Sequence, residues 1–211
     1  MKAHWDERYN SEDFAYGENP NVFLTETLPQ FTPGKALFAA EGEGRNAVFA
    51  AGLGWEVSAF DLSEFGKTKA EKLATKNKVS IDYTVGDIQT LKYDANSFDA
   101  LVLIYAHFPA SIKSSCHHQL ITYLKPGGLV IFEAFSKNHL KHNRSNPKVG
   151  GPKDMDQLYS IEEIKKDFKD FEIIELIETE VELSEGNFHI GLGSVIRFIA
   201  RKEQNSLFSR F

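Results

Sequence analysis

"FAAEGEGRNAVFAAG", residues 38–52, decides the fold. Gly42 and Gly44 stand in a tight bend, and Ala47 follows three residues after Gly44. This is the G-x-G-x-x-G/A spacing of a strand–turn–helix that lets backbone approach a nucleotide. The flanking residues agree. "KALFAA" (35–40) is a short apolar run that reads as a strand, and "GRNAVFAAGLG" (44–54) has helical spacing and stops at Gly52 and Gly54. Taken alone, the glycine pair reads equally well as a tight turn without a ligand. Two carboxylates, Glu41 and Glu43, sit beside a loop of a kind that usually cradles phosphate.

Outward from this stretch, strands and helices alternate from 35 to 135. "EVSAFDLS" (56–63) reads as a strand, and "SEFGKTKAEKLATKNK" (63–78) as an amphipathic helix with Ser63 as N-cap. "SIDYTV" (80–85) and the almost continuous apolar run "FDALVLIYA" (98–106) are further strands, the second one central and buried on both faces. A helix over about 110–124, the turn "KPGG" (125–128) and the strand "LVIFEAF" (129–135) follow. This rhythm implies parallel strands, right-handed crossovers and helices on both faces. It then breaks. Residues 136–157 show no periodicity, "SIEEIKKDF" (160–168) is a helix with a Ser160–Glu163 capping box, and strands over about 171–183 and 188–201 form a hairpin across "SEGN" (184–187). The expected fold class is a doubly wound, three-layer α/β fold with a mixed sheet. The expected organisation is a lead-in segment at 1–34, a domain at 35–202 and a tail at 203–211.

Composition narrows the partners. Acidic residues outnumber basic ones by 30 to 24, so the field disfavours nucleic acid. No long apolar run marks a membrane span, the amino end lacks the apolar core of a secretory signal, and Cys116 is the only cysteine. A reducing, cytoplasmic location is the simplest expectation.

Two acids at successive strand ends sharpen the ligand. Asp61 ends the second strand at close to the ~20-residue spacing expected of an acid that grips ribose hydroxyls. Asp87 follows Gly86 at the end of the third strand, where it could accept from a base amine. Each also reads as a cap or turn former. A pyrophosphate beside Glu41 and Glu43 would meet like charge in a poorly solvated place. An adenosyl group without phosphate and with positive charge would not, and S-adenosylmethionine has that chemistry.

With these residues in hand, the chain resembles the class I S-adenosylmethionine-dependent methyltransferases, and within them the branch of TehB-like tellurite-resistance and thiopurine or thiol methyltransferases. The resemblance runs through "ALFAAEGEGRNAVFAA", "EVSAFDLS", "YTVGDI", "FDALVLIYAHFP" and "LKPGGLVIFEAF", with "HWDERYNSEDFAYGENPNVFL" as a lead-in. It implies a Rossmann-like seven-stranded sheet with an antiparallel last strand. It further implies that Glu41, Gly42, Gly44 and Asn46 lie by the methionine moiety, Asp61 and Leu62 by the ribose, and Gly86, Asp87 and Ile88 by the adenine. Tyr105 would approach the sulfonium, and Tyr16 and Gly17 would close over the cofactor, with Trp5, Arg8 and Tyr9 as alternatives. The chain departs from the family at Phe38 and Ala40, where an acid and a glycine are usual.

The activity expected is methyl transfer to a small soft nucleophile such as a thiol or chalcogen oxyanion, with alignment and water exclusion as the main devices. His107, after the fourth strand, is the candidate base, with a structural histidine as the equal alternative. The segment 136–153 carries Lys137, Lys141, Arg144, Lys148 and Lys153 and no acid, and is expected to form a lid over the acceptor within 136–157. Cys116, His117 and His118 point about 100° apart along a helix, so they are expected to be no metal site, with the histidines facing solvent. A nicotinamide-dependent oxidoreductase and a non-catalytic binding protein are the competing functions.

Overall fold

The run at Phe98–Ile104 is buried along almost its whole length, because it lies at the centre of a sheet covered on both sides. The computed structural model describes residues 1–204. It contains one seven-stranded sheet of order β3-β2-β1-β4-β5-β7-β6. The strands are β1 (Lys35–Ala39), β2 (Glu56–Asp61), β3 (Asp82–Val85), β4 (Phe98–Ile104), β5 (Leu124–Phe135), β6 (Phe171–Glu185) and β7 (His189–Lys202). The first five run parallel and β7 lies antiparallel between β5 and β6.

Among the described residues seven α-helices surround the sheet: α1 (Lys2–Tyr9), α2 (Val22–Thr27), α3 (Arg45–Gly52), α4 (Glu64–Lys76), α5 (Lys113–Tyr123), α6 (His139–Ser145) and α7 (Ile161–Asp167). On one face Phe38, Val57, Ala59, Val102 and Ile131 pack with Phe23, Leu24, Ala47 and Ala50 of α2 and α3. On the other, Leu37, Leu101, Leu103, Phe132 and Phe198 pack with Leu120, Ile164 and Phe168 from α5, α7 and the end of α7. The alternation Leu37–Phe38 therefore divides one strand between two cores. Phe38, at the place where the resemblance leads one to expect an acid, is fully buried beneath α3.

Local chemistry sets the helix ends. Ser63 Oγ accepts from Gly66 N at 3.2 Å, with Glu64 in the first turn and Lys76 in the last. Ser160 and Glu163 form the expected capping box on α7. Three elements differ from the sequence reading. The lead-in contains α1 and α2, and 136–157 contains α6. The hairpin turn is Gly186–Phe188 rather than 184–187, because Glu185 still pairs with His189 and Gly186 takes the left-handed conformation at φ 57°. Of the tail expected at 203–211, residues 205–211 lie outside the described residues. Among the described residues, no helix is long and apolar enough to cross a membrane.

Candidate active site at the switch between β1 and β4

Strand order reverses between β1 and β4, and open α/β sheets bind ligands at the carboxyl ends of strands beside such a switch. The glycine loop closes β1. Gly42 has φ 64°, and a Cβ there would stand 2.5 Å from the Tyr9 hydroxyl; Gly44 has φ 85°, and a Cβ there would strike Ala70 at 2.4 Å. Both positions admit only glycine.

The two carboxylates of the loop do different work. Glu43 accepts from Ala15 N and from Lys69 Nζ, both at 2.8 Å, and ties the lead-in to α4. Glu41 Oε1 accepts from Asn46 N at 2.9 Å and Ala47 N at 2.8 Å. It thus occupies the first turn of α3, where a phosphate would otherwise sit. Burial pushes its carboxyl up to about 7, against those hydrogen bonds and the nearby Arg45. Asp61 accepts from Gly42 N at 3.1 Å and Ser63 N at 2.9 Å, and burial raises it to about 6. Neither Glu41 nor Asp61 forms an ion pair among the described residues. Two bonds leave lone pairs free on each carboxylate.

Leu62 is half-buried beside Asp61. Asp87 makes a local turn through Gln89 N at 2.9 Å, and Gly86 N donates to Asp61 O at 2.9 Å, joining β2 to β3. Ile88 is buried in the core beneath. Asn46 spends its side chain on Asn21 N at 2.9 Å, and so anchors α2.

Tyr105 follows β4 with φ 54°, a costly backbone for a bulky residue. Its ring stacks on Phe135 at 4.7 Å, and its buried hydroxyl has no hydrogen-bond partner. His107 does not suit the role of base. Its Nδ1 pairs with Gln157 O at 3.0 Å, its Nε2 accepts from Phe135 N at 3.3 Å, and burial lowers it to about 3. Both nitrogens are committed, Nε2 to β5 and Nδ1 to the segment that precedes α7. The expectation for His117 also fails. It is buried, with Nδ1 2.7 Å from Asp167 and Nε2 3.3 Å from Tyr159, whereas His118 is exposed.

Tyr16 and Gly17 lie against the β6–β7 hairpin, and Tyr9 is the aromatic that reaches the glycine loop. Tyr16 packs 4.5 Å from His189 and accepts from Arg8 at 3.2 Å. Beneath them runs a buried network that the sequence reading missed. Arg45 pairs with Glu185 at 2.9 Å, and His189 Nδ1 with the same oxygen at 2.9 Å. Asn21 donates to Glu133 at 2.7 Å and Glu185 at 3.2 Å, and Arg197 to Glu133 at 2.6 Å. One signal was present: Glu133 is a lone acid inside the apolar strand "LVIFEAF", and a buried charge needs partners. In the basic segment, Lys137 pairs with Glu163 and Lys141 with Glu180. Arg144 and Lys153 line a separate cavity of about 330 Å³ with Leu140, Asn143 and Pro147.

Residues 36–128 match the family described as a methyltransferase domain. No curated protein matches the chain. Its fold is shared by a protein solved in a study of the conversion of a disulfide bond into a thioacetal group during echinomycin biosynthesis (18% identity, 98% of this chain and 94% of that one, TM-score 0.76). It is also shared by TehB from Haemophilus influenzae (20% identity, 96% and 67%, TM-score 0.70). A third is the magnesium protoporphyrin IX methyltransferase of Synechocystis with bound S-adenosylhomocysteine (17% identity, 86% and 80%, TM-score 0.66).

Proposed function

We propose that the chain transfers the methyl group of S-adenosylmethionine to a small soft nucleophile, a thiol, a chalcogen oxyanion or a similar acceptor, in the crevice between the glycine loop and Tyr105. The observation that carries this reading is the Glu41 carboxylate at the start of α3. Its place in the first turn of α3 disfavours a pyrophosphate there, which argues against a nicotinamide dinucleotide. It offers an unpaired negative charge to a cationic methionyl end.

When bound, S-adenosylmethionine supplies an electrophilic methyl group on a positively charged sulfur. The chain's residues do the rest. Asp61 has lone pairs left for ribose hydroxyls, and its two backbone bonds hold it rigid. Gly42 and Gly44 admit the ligand close to the backbone, and Gly86, Asp87 and Ile88 form the base-side wall. Glu41 balances the positive charge. Tyr9 and Trp5 of α1, stacked at 5.5 Å, screen the loop from water. Tyr105 faces the reacting centre, and its unpartnered hydroxyl is a donor held ready for a ligand atom.

Titration calorimetry with S-adenosylmethionine, S-adenosylhomocysteine and NAD tests the reading. The two adenosyl compounds should bind and NAD should not. Tight binding of NAD with no response to the adenosyl compounds would overturn it.

A further inference from the structure

We infer that His189, oriented by Glu185, is the base that takes the proton of the methyl acceptor, so that the acceptor is a neutral, protonated nucleophile of the thiol class rather than an oxyanion. The inference deepens the proposed function and rests on it.

The geometry is that of a carboxylate–histidine pair. Glu185 Oε2 lies 2.9 Å from His189 Nδ1 across the hairpin turn, which fixes the tautomer with the proton on Nδ1. Nε2, the remaining basic atom, makes no hydrogen bond among the described residues. His107 and His139, the other histidines near the site, have both nitrogens occupied. The His189 ring lies 4.7 Å from Tyr105, 4.5 Å from Tyr16 and 5.2 Å from Phe135. It therefore stands against Tyr105, the residue that follows β4. Over its Nε2 edge passes Gly150, where a Cβ would lie 2.7 Å from Cδ2 and 3.3 Å from Nε2. A Cβ on neighbouring Gly151 would lie 2.8 Å from Phe135. Two glycines in left-handed conformation thus leave no side chain over this edge.

The charges favour a neutral acceptor. Arg45 is engaged by Glu185 and Arg197 by Glu133. Arg8 stacks on Phe188 at 3.8 Å and donates to Tyr16. Lys141 and Lys137 are paired on the outer side. The groups facing His189 are Arg45 from α3, Arg8 from α1, Tyr16 from the lead-in, Tyr105 after β4 and Glu185 from β6, with His139 of α6 near at hand. Burial outweighs Glu185 and keeps the imidazole below its ordinary value, hence neutral and basic near pH 7. In the step, the acceptor's S–H proton passes to His189 Nε2 as its sulfur lone pair forms a bond to the methyl carbon. The carbon–sulfonium bond breaks with its electron pair on the departing sulfur, and the imidazolium releases the proton to water.

The test compares 2-mercaptoethanol, protonated at pH 7, with 4-nitrothiophenol, largely ionised there, in the full-length protein and in His189→Gln. Expected is a loss of about 100-fold or more in kcat/KM for 2-mercaptoethanol. For 4-nitrothiophenol the loss should stay within about threefold, with S-adenosylhomocysteine affinity unchanged. Equal losses for both thiols, or none for either, would overturn the inference. If His189→Gln does not fold, the native protein decides. With 2-mercaptoethanol, kcat/KM should be close to level between about pH 7 and 8 if a base removes the proton. A tenfold rise per pH unit would mean that only preformed thiolate reacts, and would overturn it. Binding of S-adenosylhomocysteine with methylation of selenite and of neither thiol would overturn this inference and leave the proposed function standing. No binding of S-adenosylhomocysteine would overturn both.

Discussion

The two sides of the switch point treat enclosed carboxylates in opposite ways. On the β1–β2 side, Glu41 and Asp61 rest on backbone N–H groups alone and are raised to about 7 and about 6 by burial. On the β5–β7 side, Glu185 is equally enclosed, yet the bond from His189 and the charge of Arg45 hold it down at about 2. A carboxylate with its cation already in place is a clasp. One that lacks a cation is poised for a ligand that brings it. The difference separates what keeps the lead-in and hairpin closed from what would recognise an adenosyl cation.

The clasp gives the largest effect. Arg45 joins Glu185 to the carbonyls of Tyr16 and Asn19. Replacing it with Met strands a buried carboxylate, and about 3 kcal/mol of stability should be lost in urea unfolding. Adding Glu185→Gln to that variant should restore part of it. A loss below about 1 kcal/mol would show that Glu185 does not depend on its cation, and the contrast between the two sides would go.

The unpaired side should show in the pH dependence of stability. Glu41 and Asp61 have folded values above their ordinary 4.5 and 3.8, so the folded state binds protons more tightly than the unfolded chain. Stability should therefore fall as pH rises from about 4 to about 7. Glu185 acts with the other sign: its contribution is complete above 4.5 and is lost as pH falls toward 2. Glu41→Gln keeps an oxygen to cap α3 and removes the charge. It should flatten the decline toward pH 7 by on the order of 2 kcal/mol and leave the acid limb alone. An unchanged decline in that variant would place the raised carboxyl elsewhere.

The same substitution separates the two adenosyl compounds. S-adenosylmethionine is cationic at sulfur and S-adenosylhomocysteine is not. Glu41→Gln should weaken the first by about tenfold, which is ~1.4 kcal/mol, and the second by less than about threefold. The native protein should release protons on binding S-adenosylmethionine near pH 6.5, because the cation favours the ionised carboxyl. Calorimetry in buffers of different ionisation heat reads both quantities.

Legibility in the sequence follows the same divide. The run from Lys35 to Phe135 announced itself because each element carries its own signal: the apolar run of β4, the Ser63 cap, the glycines at 42 and 44. The terminal hairpin and the Ser160–Glu163 box were readable for the same reason. The β5–β7 side was not, because its logic is tertiary. Glu133, Glu185, Arg45 and Asn21 lie far apart in the chain, and apart from Glu133, set in an apolar strand, each looks alone like a surface residue. Only the sheet order brings them together. His107 stayed open between a base and a structural histidine, because the groups that hold its ring, Gln157 and Phe135, lie far along the chain. The left-handed turn at Tyr105 sends the histidine ring back against Phe135. His117 misled because Asp167, which makes its burial tolerable, comes from another helix.

The smallest effect concerns the strain the two sides share. Ala40 ends β1 with φ 52° and Tyr105 follows β4 with φ 54°, so both walls of the switch point hold a non-glycine residue in the left-handed region. The strain at Tyr105 cannot be relieved without losing the ring that packs on Phe135 and His189. At Ala40 it can, since the methyl is only partly buried against the core. Relief of a left-handed alanine is worth ~1–2 kcal/mol. Against it stand the added freedom of glycine in the unfolded chain, ~0.4–1 kcal/mol, and the lost methyl contact. Ala40→Gly should therefore stabilise by about 0.5 kcal/mol, a rise of one or two degrees in Tm for a chain of this size. It should leave the affinity for S-adenosylhomocysteine unchanged. A fall in Tm would mean that the methyl contact outweighs the strain. A change in affinity would mean that the alanine helps set the loop conformation by which Glu41 reaches the first turn of α3.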